Sequence, residues 1–164
     1  MTASAATAPA VAAEVRTDVR NTMDAREKLQ AALTALGNDR ATALTNLLKQ
    51  VAKDLAAAAK ADPDRLFGAY KTWKGKDERI AERIAVITDL HARIEQRVEE
   101  FKAQPALREQ MAEILRARIA ALKESKGTHD RESGAVQAQI RKLQEELEAL
   151  GYPATTGPAK GKGA

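Results

Sequence analysis

The sequence predicts an all-α protein, an elongated helical bundle or coiled coil that closes with an antiparallel helical hairpin. Three observations carry this. Apolar residues recur at helical spacing from about Val11 to Leu150. Between Leu66 and Phe101 they alternate steps of four and three residues, which is the mark of a left-handed coiled coil with its repeat of about 3.5 residues. Hydrophobic residues make up 44% of the chain and aromatics only 3%, so alanine dominates the apolar share. Alanine removes little surface from water. Thin seams between helices suit such a composition better than a thick globular core, and self-association is expected to supply part of the burial.

Residues 1–10 are expected to form a disordered arm, since Thr, Ser, Ala and Pro9 offer nothing to bury. An Ala-rich helical pair is expected over 11–61. Val15, Val19, Leu29, Leu33 and Leu36 make the stripe of its first helix. Gly37-Asn38-Asp39 reads as a stop and a new start, with glycine as the left-handed C-terminal residue and Asn38 or Asp39 as N-cap. Leu44, Leu47, Leu48, Val51 and Leu55 make the second stripe, and so short a connection favours antiparallel neighbours.

Asp62-Pro63-Asp64 marks the next boundary, with Asp62 as cap and Pro63 at the first helical position. A heptad helix is expected over 62–104. Leu66, Tyr70, Trp73, Asp77, Ile80, Ile84, Ile87, His91, Ile94, Val98 and Phe101 form its stripe. Ile84, His91 and Val98 take a positions, and Ile80, Ile87, Ile94 and Phe101 take d. These seven are the candidate coiled-coil interface. Gly75 is expected to interrupt the early part, where Asp77 can recap a helix, and Pro105 ends or kinks the helix near Gln104.

A helical hairpin is expected over 105–150, turning at Gly127. One stripe is Leu107, Met111, Ile114/Leu115, Ile119 and Leu122; the other is Val136, Ile140, Leu143, Leu147 and Leu150. Folding about Gly127 sets Ile119 against Val136, Leu115 against Ile140, Met111 against Leu143 and Leu107 against Leu147. Apolar residues meet apolar residues along the whole arm. Residues 151–164 read as a flexible Gly/Pro/Lys tail.

The charge balance is mild, with 27 Lys and Arg against 23 Asp and Glu. Interspersed signs permit nucleic acid or an anionic surface as partner without demanding either. The chain has no cysteine, which removes disulfides, thiolate metal sites and thiol nucleophiles and fits a reducing cytoplasm. No signal peptide or membrane-spanning stretch is recognised, so the expected location is cytoplasmic.

Four features are candidates for chemistry. Lys71, Trp73, Lys74, Lys76, Arg79 and Arg83, with Tyr70, mix rings and cations as single-strand binders or anionic-membrane anchors do. The a and d positions of Tyr70 and Trp73 favour packing in the seam instead. His91 is a polar residue at an a position, where it can set register or oligomer state, or loosen the seam on protonation. With only Glu95 nearby, it lacks the company of a metal ligand. His129 sits at the hairpin tip beside Asp130 and Glu132, a weak acid–base or metal signal. Lys160 and Lys162 give the tail a small electrostatic handle.

Enzymatic motifs do not emerge. There is no Gly-x-Ser-x-Gly elbow, no P-loop and no Glu-x-x-His pair, so no catalytic residue, metal or cofactor is expected. The expectation is a non-enzymatic structural or assembly protein. It would self-associate or bind partner helices through coiled-coil seams, as a component or scaffold of a larger complex. A nucleic-acid-binding module using residues 70–83 is the alternative, and an amphipathic coat on lipid or storage granules ranks third.

Overall fold

The computed structural model describes residues 8–58, 62–126 and 133–154, with side chains placed within 12–58, 62–125 and 134–154. All regular structure among them is helical: α1 (Ala8–Ala56), α2 (Pro63–Ala103), α3 (Pro105–Lys126) and α4 (Ser133–Ala149). The expected all-α class is the observed one. Among the described residues no helix is long and apolar enough to cross a membrane. Residues 1–7, the hairpin tip with His129, and the tail with Lys160 and Lys162 lie outside the described residues.

Two boundaries read from the sequence do not exist. α1 passes unbroken through Gly37-Asn38-Asp39, so the expected helical pair over 11–61 is a single helix of 49 residues. A stop at Gly37 would need a left-handed glycine, and among the described residues only Gly151 has positive φ. A lone glycine inside a helix costs roughly 0.5–1 kcal/mol, too little to end a helix whose flanks both propagate. α1 also begins at Ala8, inside the stretch expected to be an arm. For the same reason α2 continues through Gly75 and Asp77, and no new cap forms there.

The real ends are made by proline and by caps. The Asp62 carboxylate accepts the Asp64 backbone N–H at 3.0 Å, and Pro63 opens α2 where its missing N–H is harmless. α2 stops at Ala103 because Pro105 cannot donate into its ladder; Gln104 N–H instead bonds the Phe101 carbonyl at 3.1 Å. Pro105 then starts α3. α4 ends in a Schellman motif. Tyr152 N–H reaches the Leu147 carbonyl at 3.2 Å, Gly151 N–H reaches that of Glu148 at 2.8 Å, and Gly151 has φ of 85°.

Contacts divide the chain into two compact units, Met1–Met23 with Arg97–Ala164, and Asp24–Gln96. In the first unit α3 packs against α4. Leu107, Met111, Leu115, Ile119, Ile140 and Leu147 are buried, and Val136 and Leu143 half-buried. Val19 and Met23 of α1 and Val98 and Phe101 of α2 are buried in the same unit. Arg97 donates to the Asp18 carboxylate at 2.8 Å and lies over the Phe101 ring, 5.7 Å from its centre. That pairing raises the guanidinium's pKa above its ordinary value.

The second unit consists of residues 24–56 of α1 and 63–96 of α2. The expected neighbour of the 39–61 segment was the chain just before it; the observed one is α2. Arg40 meets Asp77 and Arg26 meets Glu95, so rising numbers on α1 meet falling numbers on α2. The two helices are antiparallel, and the contact is made within one chain.

Candidate helix-docking site

On α2, the residues of the second unit turned inward are those of the four-three stripe. Ile80 is 8% exposed, while Leu66, Trp73, Asp77, Ile84, Ile87, His91 and Ile94 are half-buried. Tyr70 departs from the pattern and stands half in solvent. On α1 the inward positions are Leu29, Ala32, Leu33, Leu36, Ala43, Leu47, Gln50, Val51 and Asp54, and only Asp54 is buried. This is also a four-three stripe, but alanine and polar residues fill much of it.

Three polar groups interrupt this seam, and two of them tie α1 to α2. Arg26 Nε donates to Glu95 Oε1, and His91 Nε2 lies 3.5 Å from the same oxygen. All three side chains are largely sheltered, so His91 is a polar residue of the seam set beside the ion pair that joins α1 to α2. Arg40 grips both Asp77 carboxylate oxygens, donating from Nε at 2.5 Å and from Nη2 at 2.9 Å. Gln50 donates to the buried Asp54 carboxylate at 2.8 Å.

The hydrogen bond from Arg40, with its charge, holds the Asp77 carboxyl below its ordinary value against a smaller opposing effect of desolvation. A depressed native pKa contributes stability that is complete above the ordinary carboxylate range and lost as pH falls through the native value. Thermal unfolding followed from about pH 6 to pH 2 at low salt should therefore show a steeper acid loss in the native sequence than in Asp77→Asn. Superimposable profiles would show that the pair contributes nothing.

Beside this seam lies an apolar face that the chain does not cover. Leu44 is 41% exposed, Leu48 58%, Leu55 63%, Phe67 67% and Tyr70 48%. Leu44, Leu48 and Leu55 were expected in the inward stripe of a second helix; they point outward because the seam instead passes through Ala43, Leu47, Gln50 and Asp54. At helical spacing Gly37, Ala41, Leu44, Leu48 and Leu55 share one side of α1. The Arg40–Asp77 bridge sets residues 44–48 of α1 beside 69–73 of α2. An open cleft of about 410 Å³ joins the two there, lined by Gly37, Arg40, Ala41, Leu44, Trp73 and Asp77. Tyr70 and Trp73 touch as tilted rings 5.9 Å apart, and the Trp73 indole N–H is sealed from water without a partner.

The cations singled out in the sequence do not gather here as one set. At about 100° per residue, Lys71 and Lys74 share the Phe67 side of α2, while Lys76, Arg79 and Arg83 turn away. The five cations span about 200° of its circumference, with Trp73 half-buried in the seam. Arg79 Nε is engaged with the Gly75 carbonyl at 3.1 Å. The seven coiled-coil candidates divide as well: Ile80 to Ile94 serve the second unit, Val98 and Phe101 the first. Among the described residues no three His, Asp or Glu side chains meet in a metal-holding group.

Sequence reading missed Arg26 and Arg40 as partners of α2, and Phe67 as part of an exposed surface. For Phe67 a signal exists: it falls one position outside the four-three stripe, where a large aromatic has no inward seat. Comparison of the chain with family models, with characterised proteins and with solved structures gave no match.

Proposed function

We propose that this chain is a non-enzymatic structural or assembly protein whose second unit recruits a further helix, of itself or of a partner, within a larger complex. The carrying observation is a contrast in burial. The largest side chains under 2% exposed, Val19, Met23, Val98, Met111, Leu115 and Leu147, all belong to the first unit. In the second unit the best-covered apolar side chain is Ile80, and the seam around it is half open. A pair of helices shields one side of a seam only. The uncovered Leu and aromatic side chains on its flank are what another helix would bury through coiled-coil packing.

The nucleic-acid reading has less support, since its six residues lie around the helix and Trp73 is not free to stack on a base. Size-exclusion chromatography with light scattering on the protein from its source tests the proposal. A native mass above that of one chain is expected, from self-association or a co-purifying helical partner. A strict monomer at high concentration that takes up no helix would overturn it.

A further inference from the structure

Both helices of the second unit carry a further four-three stripe, one position on from the seam. On α1 it begins with Gln30, Thr34, Gly37 and Ala41 and continues as Leu44, Leu48, Val51 and Leu55. On α2 it begins with Phe67, Lys71, Lys74 and Glu78 and continues as Ala81, Ala85 and Thr88. One step along a right-handed helix turns about 100°. In an antiparallel pair that step turns both helices toward the same side, so the two stripes share one face. Val51 and Ala81 are half-buried, and the other stripe residues are exposed.

This face is bulky at one end and thin at the other. The Arg40–Asp77 and Arg26–Glu95 bridges set Leu44, Leu48 and Leu55 beside Phe67 and Tyr70. They set Gln30, Thr34, Gly37 and Ala41 beside Ala81, Ala85 and Thr88. The open cleft lined by Gly37, Ala41, Leu44 and Trp73 lies where the thin end meets the bulky one. The α1 stripe holds no charged residue from Gln30 to Leu55, in a chain that is 30% charged. Thr34 turns its hydroxyl back to the Gln30 carbonyl at 3.0 Å, so its polar group is met within the helix.

We infer that this face is the seat of a second copy of the chain, turned end for end about a two-fold axis. The axis crosses α1 between Ala41 and Leu44, and α2 between Lys74 and Glu78. The inference rests on the reading that the second unit recruits a helix, and names the partner. The two bridges put both crossing points at one level, so a single axis serves both helices. Stripe positions then face stripe positions throughout. The second copy's Leu48 meets Gly37 and its Leu44 meets Ala41, which places two leucines at the open cleft. Phe67 meets Ala85, and Lys71 meets Ala81 with its ammonium free to reach water. Lys74 of each copy meets Glu78 of the other, and Asp64 meets Thr88, so no like charges oppose each other along either stripe. Bulky end on bulky end would crowd the leucines and leave a void between the thin ends, where contacts are lost.

The area suits a stable pair. From Gln30 to Leu55 the face is about 38 Å long and, across two helices, about 20 Å wide, or about 750 Å² per copy. Standard protein interfaces bury roughly 800 Å² per partner.

The chain has no cysteine, so chosen pairs can be introduced into the full-length protein. Gly37→Cys combined with Leu48→Cys should cross-link two copies on mild oxidation. Along one helix these positions lie about 16 Å apart, too far for a disulfide within the chain. Gly37→Cys combined with Leu55→Cys, two turns out of register, should not cross-link. Light scattering should give twice the mass of one chain. Leu48→Ala and Phe67→Ala should each weaken the pair several-fold, with the single chain's helicity unchanged. A dimer that cross-links through 37 and 55 but not through 37 and 48 would overturn the inference and leave helix recruitment standing. A monomer that instead takes up a co-purifying helix of another protein would do the same. A monomer that takes up no helix, whether or not it binds phosphatidylglycerol vesicles or an oligonucleotide, would overturn both.

Discussion

Replacing Leu115 by alanine should lower the free energy of unfolding by about 2–5 kcal/mol, the range for truncating a fully buried leucine. Leu115 has no exposed surface and sits among Met111, Ala112 and Ile119 on the inner side of α3. The loss combines transfer of its removed atoms to water with the cavity they leave. Against total stabilities of about 5–15 kcal/mol, one such change is severe. Leu48→Ala is the matched control. It removes the same atoms from a side chain that is 58% exposed, and should stay within about 0.5 kcal/mol. Urea unfolding followed by circular dichroism measures both. Similar losses in the two variants would mean that the apparent contrast between core and open face does not exist in solution.

The second large effect is a gain. Gly37→Ala and Gly75→Ala should each stabilise the protein by about 0.5–1 kcal/mol, and together by about twice that. Both glycines lie inside continuous helices, neither has a left-handed φ, and a Cβ at either would meet nothing within 4 Å. Alanine there restricts the unfolded chain without disturbing the folded one. A raised melting temperature in each single variant, with additivity in the double, is the expected result; a fall would show that the helices are broken at these points in solution.

The contrast between Gly37 and Gly151 shows where the sequence was legible. Both read as helix stops. Gly151 is followed by Tyr152 and Pro153, and a proline there cannot continue the helix, so the chain takes the left-handed turn. Gly37 is followed by a stretch that propagates well, and a weak penalty does not outweigh it. The stripe of α2 was legible because isoleucine at four-three spacing has one plausible inward face. The stripe of α1 was legible only in part: Leu29, Leu33, Leu36, Leu47 and Val51 face inward as expected, but Ala32, Ala43, Gln50 and Asp54 also occupy seam positions while Leu44, Leu48 and Leu55 face outward.

Reading by size alone therefore hid the candidate site inside a supposed core. It also could not say whether the seam of α2 is met by the same chain or another. Arg26 and Arg40 decide that, since each is more than thirty residues from the carboxylate it pairs with. Of the expected hairpin, the two helices, their packing on each other and most of their buried residues were legible. The pairing of Leu115 with Ile140 and its neighbours is a matter for cysteine cross-linking at those two positions.

Amide hydrogen exchange, read segment by segment on the isolated protein and again on the assembled one, tests the central claim most directly. A second unit with a half-open seam should exchange much faster over 24–56 and 63–96 than the first unit does over 105–126 and 134–149. On binding its helix it should slow by at least tenfold, with the first unit unchanged. Exchange in the isolated second unit as slow as in the first, and no change on assembly, would contradict the account.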